Sequence, residues 1–178
     1  MEISNLKHQI SNNFINSRQG RAGYTLIEIL VGLTIIGIIF GVGFSSFREF
    51  SRRQSLAGGV KIIVGDLRLA QEQAIAGKKP EDLKCTNGLL GGYNFRVVPP
   101  RTYQVEADCT GGVIPVIIKT VTISSDLTLT VPTVNPILFK ALGQGTNIPE
   151  GEETFVNITQ AGTNAVAPVT VSSGGEIR

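Results

Sequence analysis

A single carboxylate stands out in this sequence because it lies inside a long apolar run. Glu28 is the only charged residue between positions 24 and 44. A charged side chain at the centre of a bilayer costs roughly 2.5–3.5 kcal/mol on insertion scales, so a carboxylate in such a run calls for a cationic partner. The chemistry that this residue predicts is ion pairing.

The run itself has the length of a membrane-spanning helix. As a helix that rises 1.5 Å per residue, positions 24–44 would extend roughly 32 Å, close to the thickness of the hydrocarbon core of a bilayer. The sequence therefore predicts a membrane segment. A simpler alternative is a plain membrane anchor in which Glu28, near the end of the run, reaches the interface.

The residues at the start of the run carry a resemblance to a known family. Gly23-Tyr24-Thr25-Leu26-Ile27-Glu28, with Arg21 just upstream, resembles the processing site of type IV pilins and type II secretion pseudopilins. The resemblance implies that a prepilin peptidase/methyltransferase cuts after Gly23 and methylates the new N-terminus at Tyr24. Glu28 would then be the fifth residue of the mature chain and an assembly residue.

Such a cut would supply the cation that Glu28 needs. An α-amino group has a pKa near 8 and is largely protonated at neutral pH. The amine of Tyr24 on one subunit could pair with Glu28 of the next, which would offset the desolvation of both groups and set the stagger between subunits. Buried ion pairs serve register better than they serve stability.

Residues 1–23 are predicted to be a cleaved leader and are excluded from fold reasoning. They are polar and lack the apolar core of a secretory signal, because here the apolar run follows the proposed cut. The expected location is the inner (cytoplasmic) membrane, crossed once, with the C-terminal domain periplasmic or extracellular. Basic residues lie on both sides of the run, so the charge distribution does not determine the orientation. The prediction of orientation rests on the cysteines and the cleavage motif.

Composition excludes a large enzyme. The 178 residues suffice for a leader, one long helix and one modest domain. Lys7, Arg18 and Arg21 against Glu2 account for the whole net charge of +2, so the part after Gly23 is neutral. Nothing in the overall charge calls for nucleic acid or an anionic surface as a partner.

The two cysteines, Cys85 and Cys109, both follow the apolar run. Their spacing fits no metal site and no redox motif, so a disulfide in an oxidising compartment is the simpler interpretation. Two unconnected buried thiols are the alternative.

Little in the sequence supports catalysis or a cofactor. The only histidine, His8, lies in the leader and would be lost, which removes nucleophile–histidine pairs and histidine metal ligands. Glu150, Glu152 and Glu153 cluster in a stretch that predicts a solvated turn, with a calcium site as the sharper hypothesis. The chain is therefore expected to be no enzyme, and a membrane-tethered hydrolase using these carboxylates is kept only as a rival.

Helical periodicity continues beyond the membrane-length run. Apolar residues recur at alternating steps of four and three from Leu56 to Ala74, with charged residues, Asp66 among them, lying elsewhere. The helix is predicted to end near Ala76 with Gly77 as its C-cap, and Gly58-Gly59 is the expected bend.

From Tyr93 onward the pattern changes to period two with β-branched residues, which predicts an antiparallel sheet. The fold class is therefore α+β, a long N-terminal helix packed on a C-terminal antiparallel β domain. The expected divisions are a leader at 1–23, a membrane or filament-core helix half at 24–47, an amphipathic helix half at 48–77 and a β domain at 78–178. Strands are predicted at 92–98, 102–108, 113–123, 127–131, 136–140, 153–159 and 168–172.

A finer resemblance concerns the mature chain. The stretches 66–75, 137–139 and 169–178 are similar to the layout of the H-type minor pseudopilins, which implies a subunit that primes or tips a filament. The implied partners are other pilin or pseudopilin subunits, the prepilin peptidase and the membrane. The alternative is a membrane-anchored binding module for DNA uptake or adhesion; DNA is disfavoured because Glu176 interrupts the C-terminal end, where only Arg178 is basic.

Overall fold

The structure is a computed structural model that describes residues 23–86, 88–109 and 115–178. Within these residues a long helix α1 (Leu26–Ile75) is followed by a short helix α2 (Leu83–Thr86) and by seven strands. The strands are β1 (Leu90–Val98), β2 (Thr102–Cys109), β3 (Val116–Thr122), β4 (Leu127–Leu129), β5 (Ile137–Lys140), β6 (Glu153–Gln160) and β7 (Val166–Ser172), with a 3₁₀ turn at Ala141–Gly143. The predicted α+β class is confirmed.

The predicted strands correspond to the observed ones with small differences at their ends. The strand predicted at 113–123 is observed as β3, and its first two positions lie outside the described residues. The leader predicted at 1–23 also lies outside them except for Gly23, and so does His8.

Helix α1 begins where its sequence supplies a cap. Thr25 precedes the first helical residue, and its side-chain Oγ1 accepts a hydrogen bond from the backbone N of Glu28 at 3.3 Å. Thr25-x-x-Glu28 is the spacing of a capping box, and an acidic residue in the first turn favours the positive end of the helix dipole. The motif around the predicted cut therefore also specifies the start of the helix.

Helix α1 ends as the glycine signal predicts. Gly77 has a φ of 59°, in the left-handed region that favours glycine. Its backbone N donates to the carbonyl of Ala74 at 3.1 Å, and the N of Lys78 donates to the carbonyl of Gln73 at 3.2 Å. This is a Schellman motif, which satisfies carbonyls that the last turn would otherwise leave unpaired.

The chain forms two compact units, and the boundary between them, after Ser46, falls within α1. In the part of the chain that the structure describes, no helix is both long and apolar enough to pass through a membrane, so the span predicted at 24–44 is not confirmed.

The β domain contains two antiparallel sheets. The first has the strand order β3-β2-β1-β5 and the second has the order β4-β6-β7. In the first sheet Phe95 pairs with Val105 of β2 and with Ile137 of β5, which places three apolar side chains on one face. The C-terminal residues extend the second sheet, because Ile177 forms an isolated bridge to Val171.

The core lies between the second half of α1 and the inner faces of these sheets. The apolar face predicted on α1 is confirmed, since four of its members are fully buried and two are partly buried against the core. The buried ones are Ile63, Leu67, Ala70 and Ala74, and the partly buried ones are Leu56 and Val60. The largest fully buried apolar side chains from the sheets are Tyr93, Phe95, Tyr103, Leu127, Ile137 and Ile158.

Gly59 marks a close approach between α1 and the second sheet. Helix α1 continues through Gly58 and Gly59, where the sequence predicts a bend. A Cβ atom on Gly59 would lie 2.7 Å from Cδ1 of the buried Leu127, well inside the roughly 3.5–4.0 Å at which carbon atoms pack. At Gly58 nothing lies within 4 Å of the same atom.

These neighbours make a matched pair for a stability test. We expect Gly59→Ala to lower the free energy of unfolding by about 1–3 kcal/mol, because the added methyl group overpacks the contact with Leu127. Gly58→Ala should be neutral or stabilising by up to about 1 kcal/mol, since alanine favours a helix over glycine. Urea unfolding followed by circular dichroism measures both, and equal effects would contradict this packing.

Candidate functional site

The predicted cleavage point lies in exposed, non-helical backbone directly before α1. Gly23, Tyr24 and Thr25 are all exposed and precede the first helical residue. A Cβ atom added to Gly23 would meet none of the described residues within 4 Å, so no contact with them requires glycine there. Residues 23–25 of the described chain are thus exposed at this point, and the cut itself stays a prediction.

Glu28 lies in the first turn of the helix. It borders an open depression of about 330 Å³ lined otherwise by Tyr24, Ile29, Gly32, Leu33 and Ile36. Gly32 follows Glu28 by four residues, which places it on the same helix face, and its missing side chain leaves room beside the carboxylate. Among the described residues Glu28 has no ion-pair partner, so the structure offers an exposed carboxylate on an apolar surface.

The surface around Glu28 is otherwise apolar and uncovered. Large apolar side chains stay exposed along the first half of α1, and Leu26, at 83%, is the most exposed of them. The hydroxyl of Thr34 donates to the carbonyl of Val31 at 2.8 Å, so this polar group is satisfied within its own helix. Contiguous exposed apolar surface of this kind marks a site of protein or membrane interaction.

The globular unit contains the predicted disulfide. Cys85 in α2 and Cys109 at the end of β2 are bonded, with their Cα atoms 5.2 Å apart, and both are buried. The bond therefore ties the segment after α1 to the first sheet.

Removing this bond has an expected cost. Replacing both cysteines with alanine should lower the free energy of unfolding by roughly 3 kcal/mol in the chain-entropy model, because the unfolded chain loses a closed loop. Reductant should produce a similar loss in the native protein and none in the variant, measured by thermal unfolding. A native protein insensitive to reductant under unfolding conditions would contradict the prediction.

Asp66 is a buried acceptor that the periodicity argument placed among the surface charges. Only 6% of Asp66 is exposed. The Tyr103 hydroxyl donates to its Oδ2 at 2.6 Å, and Lys119 Nζ lies 2.7 Å from Oδ1 and 3.0 Å from Oδ2. Asp66 follows the buried Ile63 by three residues and precedes the buried Ala70 by four. Residues at this spacing share a helix face, so the sequence could have predicted that Asp66 is buried.

The Asp66 cluster joins three elements: α1 through Asp66, β2 through Tyr103 and β3 through Lys119. Burial, followed by the hydrogen bond to the Asp66 carboxylate and the charge on it, raises the pKa of Tyr103 well above its ordinary value of 10.0. The hydroxyl consequently acts as a donor at neutral pH. This arrangement holds β3 on the helix, and its groups are hydrogen-bonded or ion-paired to one another.

A second buried carboxylate, Glu106, is also satisfied. Arg96 Nε donates to both carboxylate oxygens of Glu106 at 3.1 Å, across the pair of strands β1 and β2. Both ion pairs therefore serve the fold.

The structure does not bring the three glutamates considered for calcium together as a group. Within the described residues no group of three or more histidine, cysteine, aspartate or glutamate side chains could hold a metal ion. Glu150 lies in the turn before β6, whereas Glu153 is the first residue of that strand and faces Arg178 at 3.7 Å. Arg178 also pairs with Glu176 at 3.0 Å, so the last basic residue of the chain has two acidic neighbours.

Comparison with known proteins identifies the N-terminal signal alone. Residues 18–44 match the family model described as the prokaryotic N-terminal methylation motif, and residues 18–22 of that match lie outside the described part of the structure. No curated protein and no solved structure matches the chain. Proteins with this motif are structural subunits rather than enzymes, and it is typical of membrane-anchored pilins. The motif therefore supports a type IV pilin-like or pseudopilin subunit that a prepilin peptidase processes and that assembles with other pilin subunits.

Proposed function

We propose that this protein is a structural subunit of a type IV pilus-like or type II secretion pseudopilus filament, and that it is a minor subunit that primes or tips the filament. The observation that carries the proposal is the exposed apolar surface of α1, interrupted by Glu28 alone, directly after a methylation motif. The minor role follows from the similarity of 66–75, 137–139 and 169–178 to the H-type minor pseudopilins.

In the proposed mechanism the first half of α1 is the assembly element. Cleavage after Gly23 creates an α-amino group on Tyr24, which is largely protonated at neutral pH. This amine approaches the depression beside Glu28 on a neighbouring subunit, where the space above Gly32 admits it. The exposed apolar side chains of both helices then cover one another, and the ion pair selects one axial register.

Before assembly, the same apolar surface must be shielded from water in another way. We propose that the subunit is held in the inner membrane through α1, with the β domain in the periplasm or outside the cell. The Cys85–Cys109 disulfide supports this orientation, because such bonds form and persist in oxidising compartments.

The role proposed for the mature chain is assembly, with no bond made or broken by it. Binding of DNA at the C-terminal end is disfavoured, since Arg178 is held between Glu153 and Glu176. An anchored binding module that never assembles is the remaining alternative, and the Glu28 variants described in the Discussion separate it from a filament subunit.

The test of this function is the identity of the mature N-terminus. Mass spectrometry of the protein from cells with a prepilin peptidase should find a chain that begins at Tyr24 and carries one methyl group on its α-amine. Because none of the described residues lies within 4 Å of a Cβ atom at position 23, Gly23→Val should block the cut without disturbing the described fold. A native chain that retains residues 1–23 in such cells would refute the proposal.

A further inference from the structure

A groove in the globular unit lies between the end of α1 and the inner face of the first sheet. It is lined by the buried Tyr93 and Val105, the partly buried Leu69 and the exposed Ile118, Lys78 and Lys79. We call it the β3 groove, because Ile118 belongs to that strand. None of these residues takes part in the proposed assembly surface.

The walls of the β3 groove are held in place by hydrogen bonds. The Tyr93 hydroxyl donates to the carbonyl of Lys78 at 2.6 Å, and Lys79 Nζ donates to the carbonyl of Gly88 at 2.9 Å. The Schellman motif at Gly77 sets the direction in which this segment leaves α1. The groove is therefore a preformed feature of the chain.

The charged residues that line the groove have one sign. Two lysines border it, and no acidic residue is among the described residues that line it. The buried Asp66 is already paired with Lys119 and Tyr103. An occupant with an apolar part and a carboxylate would complement this combination of apolar walls and basic border.

The size of the groove favours side chains over a small molecule. Its volume is about 210 Å³, below the roughly 300–1,000 Å³ of small-molecule pockets. That space admits one or two apolar side chains presented by a longer ligand.

Strand β3 supplies the edge along which such a ligand could lie. It is the last strand of its sheet, and in the described part of the chain its backbone pairs with β2 alone. An irregularity between Val105 and Glu106 and the charge of Lys119 are features that limit indiscriminate pairing at an edge. Selectivity would then come from the groove beside the strand.

From these observations we propose that the β3 groove binds an extended acidic and apolar peptide segment of a partner protein. The segment lies along β3, inserts one or two apolar side chains between Leu69, Val105 and Ile118, and places a carboxylate near Lys78 and Lys79. Recognition of an extended segment at a sheet edge, with side-chain pockets for specificity, is a recurrent mode of peptide binding.

The test is a selection with a phage-displayed library of random peptides on the detergent-solubilised full chain. Selected peptides should combine apolar residues with Asp or Glu, and synthetic copies should bind the native chain. Ile118→Glu should weaken them about tenfold or more, because it removes an apolar contact that the bound peptide would cover and adds a negative charge. Ile117→Glu is the matched control, since Ile117 is the adjacent exposed residue of β3 but does not line the groove.

A second experiment reverses the charge of the two lysines that border the groove. Lys78→Glu with Lys79→Glu should weaken the acidic peptides and select basic ones instead, whereas Lys61→Glu, on the exposed side of α1, should change nothing. Unfolding midpoints are compared first, so that only folded variants are scored. Failure to select acidic and apolar peptides, equal effects of the two isoleucine variants, or binding that depends on the lysines alone would each overturn the proposal.

Discussion

Replacing Glu28 with alanine is expected to abolish assembly of the protein into filaments while leaving the cut after Gly23 intact. The variant would leave the α-amino group of Tyr24 on a neighbouring subunit without its counter-ion in an apolar interface. Removing one partner of a buried ion pair typically costs about 3–5 kcal/mol, which is a loss of more than about a hundredfold in association. Crosslinking between copies and recovery of the protein in sheared filaments measure the effect.

Two further variants separate the charge of Glu28 from its place in the helix. Glu28→Gln keeps a residue type suited to the capping box with Thr25 but removes the charge, so it should fail to assemble as alanine does. Glu49→Ala removes an exposed carboxylate of the same helix, one that pairs with Arg53, and should assemble normally. An assembling Glu28→Gln variant would assign Glu28 to helix capping and contradict the proposed ion pair.

Replacing Asp66 with alanine is expected to cause a large loss of stability in the globular unit. It leaves the hydroxyl of the fully buried Tyr103 without an acceptor and Lys119 without its counter-ion. Because 44% of the Lys119 side chain is exposed and can turn to water, we expect about 3 kcal/mol, the lower end of the range for a broken buried pair. Urea unfolding followed by circular dichroism gives the value.

A double-mutant cycle identifies the source of that loss. Lys119→Met alone should destabilise the fold, and its effect combined with Asp66→Ala should fall short of the sum by about 1 kcal/mol or more, since the two residues share one interaction. Glu72→Ala, an exposed carboxylate on the same helix, should change stability by less than about 0.5 kcal/mol. Strict additivity would show that the pair is not coupled.

The raised pKa of Tyr103 adds a dependence on alkaline pH. Below the ordinary pKa of 10.0 the phenol is protonated in both states, so its contribution to stability is fully present. Above that pH the unfolded chain releases the proton first, and stability falls by about 1.4 kcal/mol per pH unit. Tyr103→Phe should show a shallower decline above pH 10, with the remainder due to Tyr93, whose pKa burial also raises. An unchanged slope in unfolding experiments would contradict this origin.

Much of the architecture follows from local signals in the sequence. Apolar residues at steps of three and four define the buried face of α1 from Leu56 to Ala74, and Gly77 ends the helix because only a left-handed residue closes it there. Period-two patterns predict the strands, and cysteines in a chain with an export motif predict their bond. The helix and strand signals depend on residues close together in the sequence, and the disulfide depends on an oxidising compartment. The sequence alone therefore determines these features. The methylation motif, which indicates the function, is local in the same way.

The tertiary structure decided what lies opposite each residue across the fold. Asp66 looks like a surface charge along its helix, yet Tyr103 and Lys119 approach it from 37 and 53 residues away. Gly59 is predicted to mark a bend, and only the structure shows that its lack of a side chain admits Leu127. The β3 groove likewise combines residues of α1 with three strands. Such contacts depend on how strands pair and pack over long separations, and the periodicity of a single helix or strand carries no information about them.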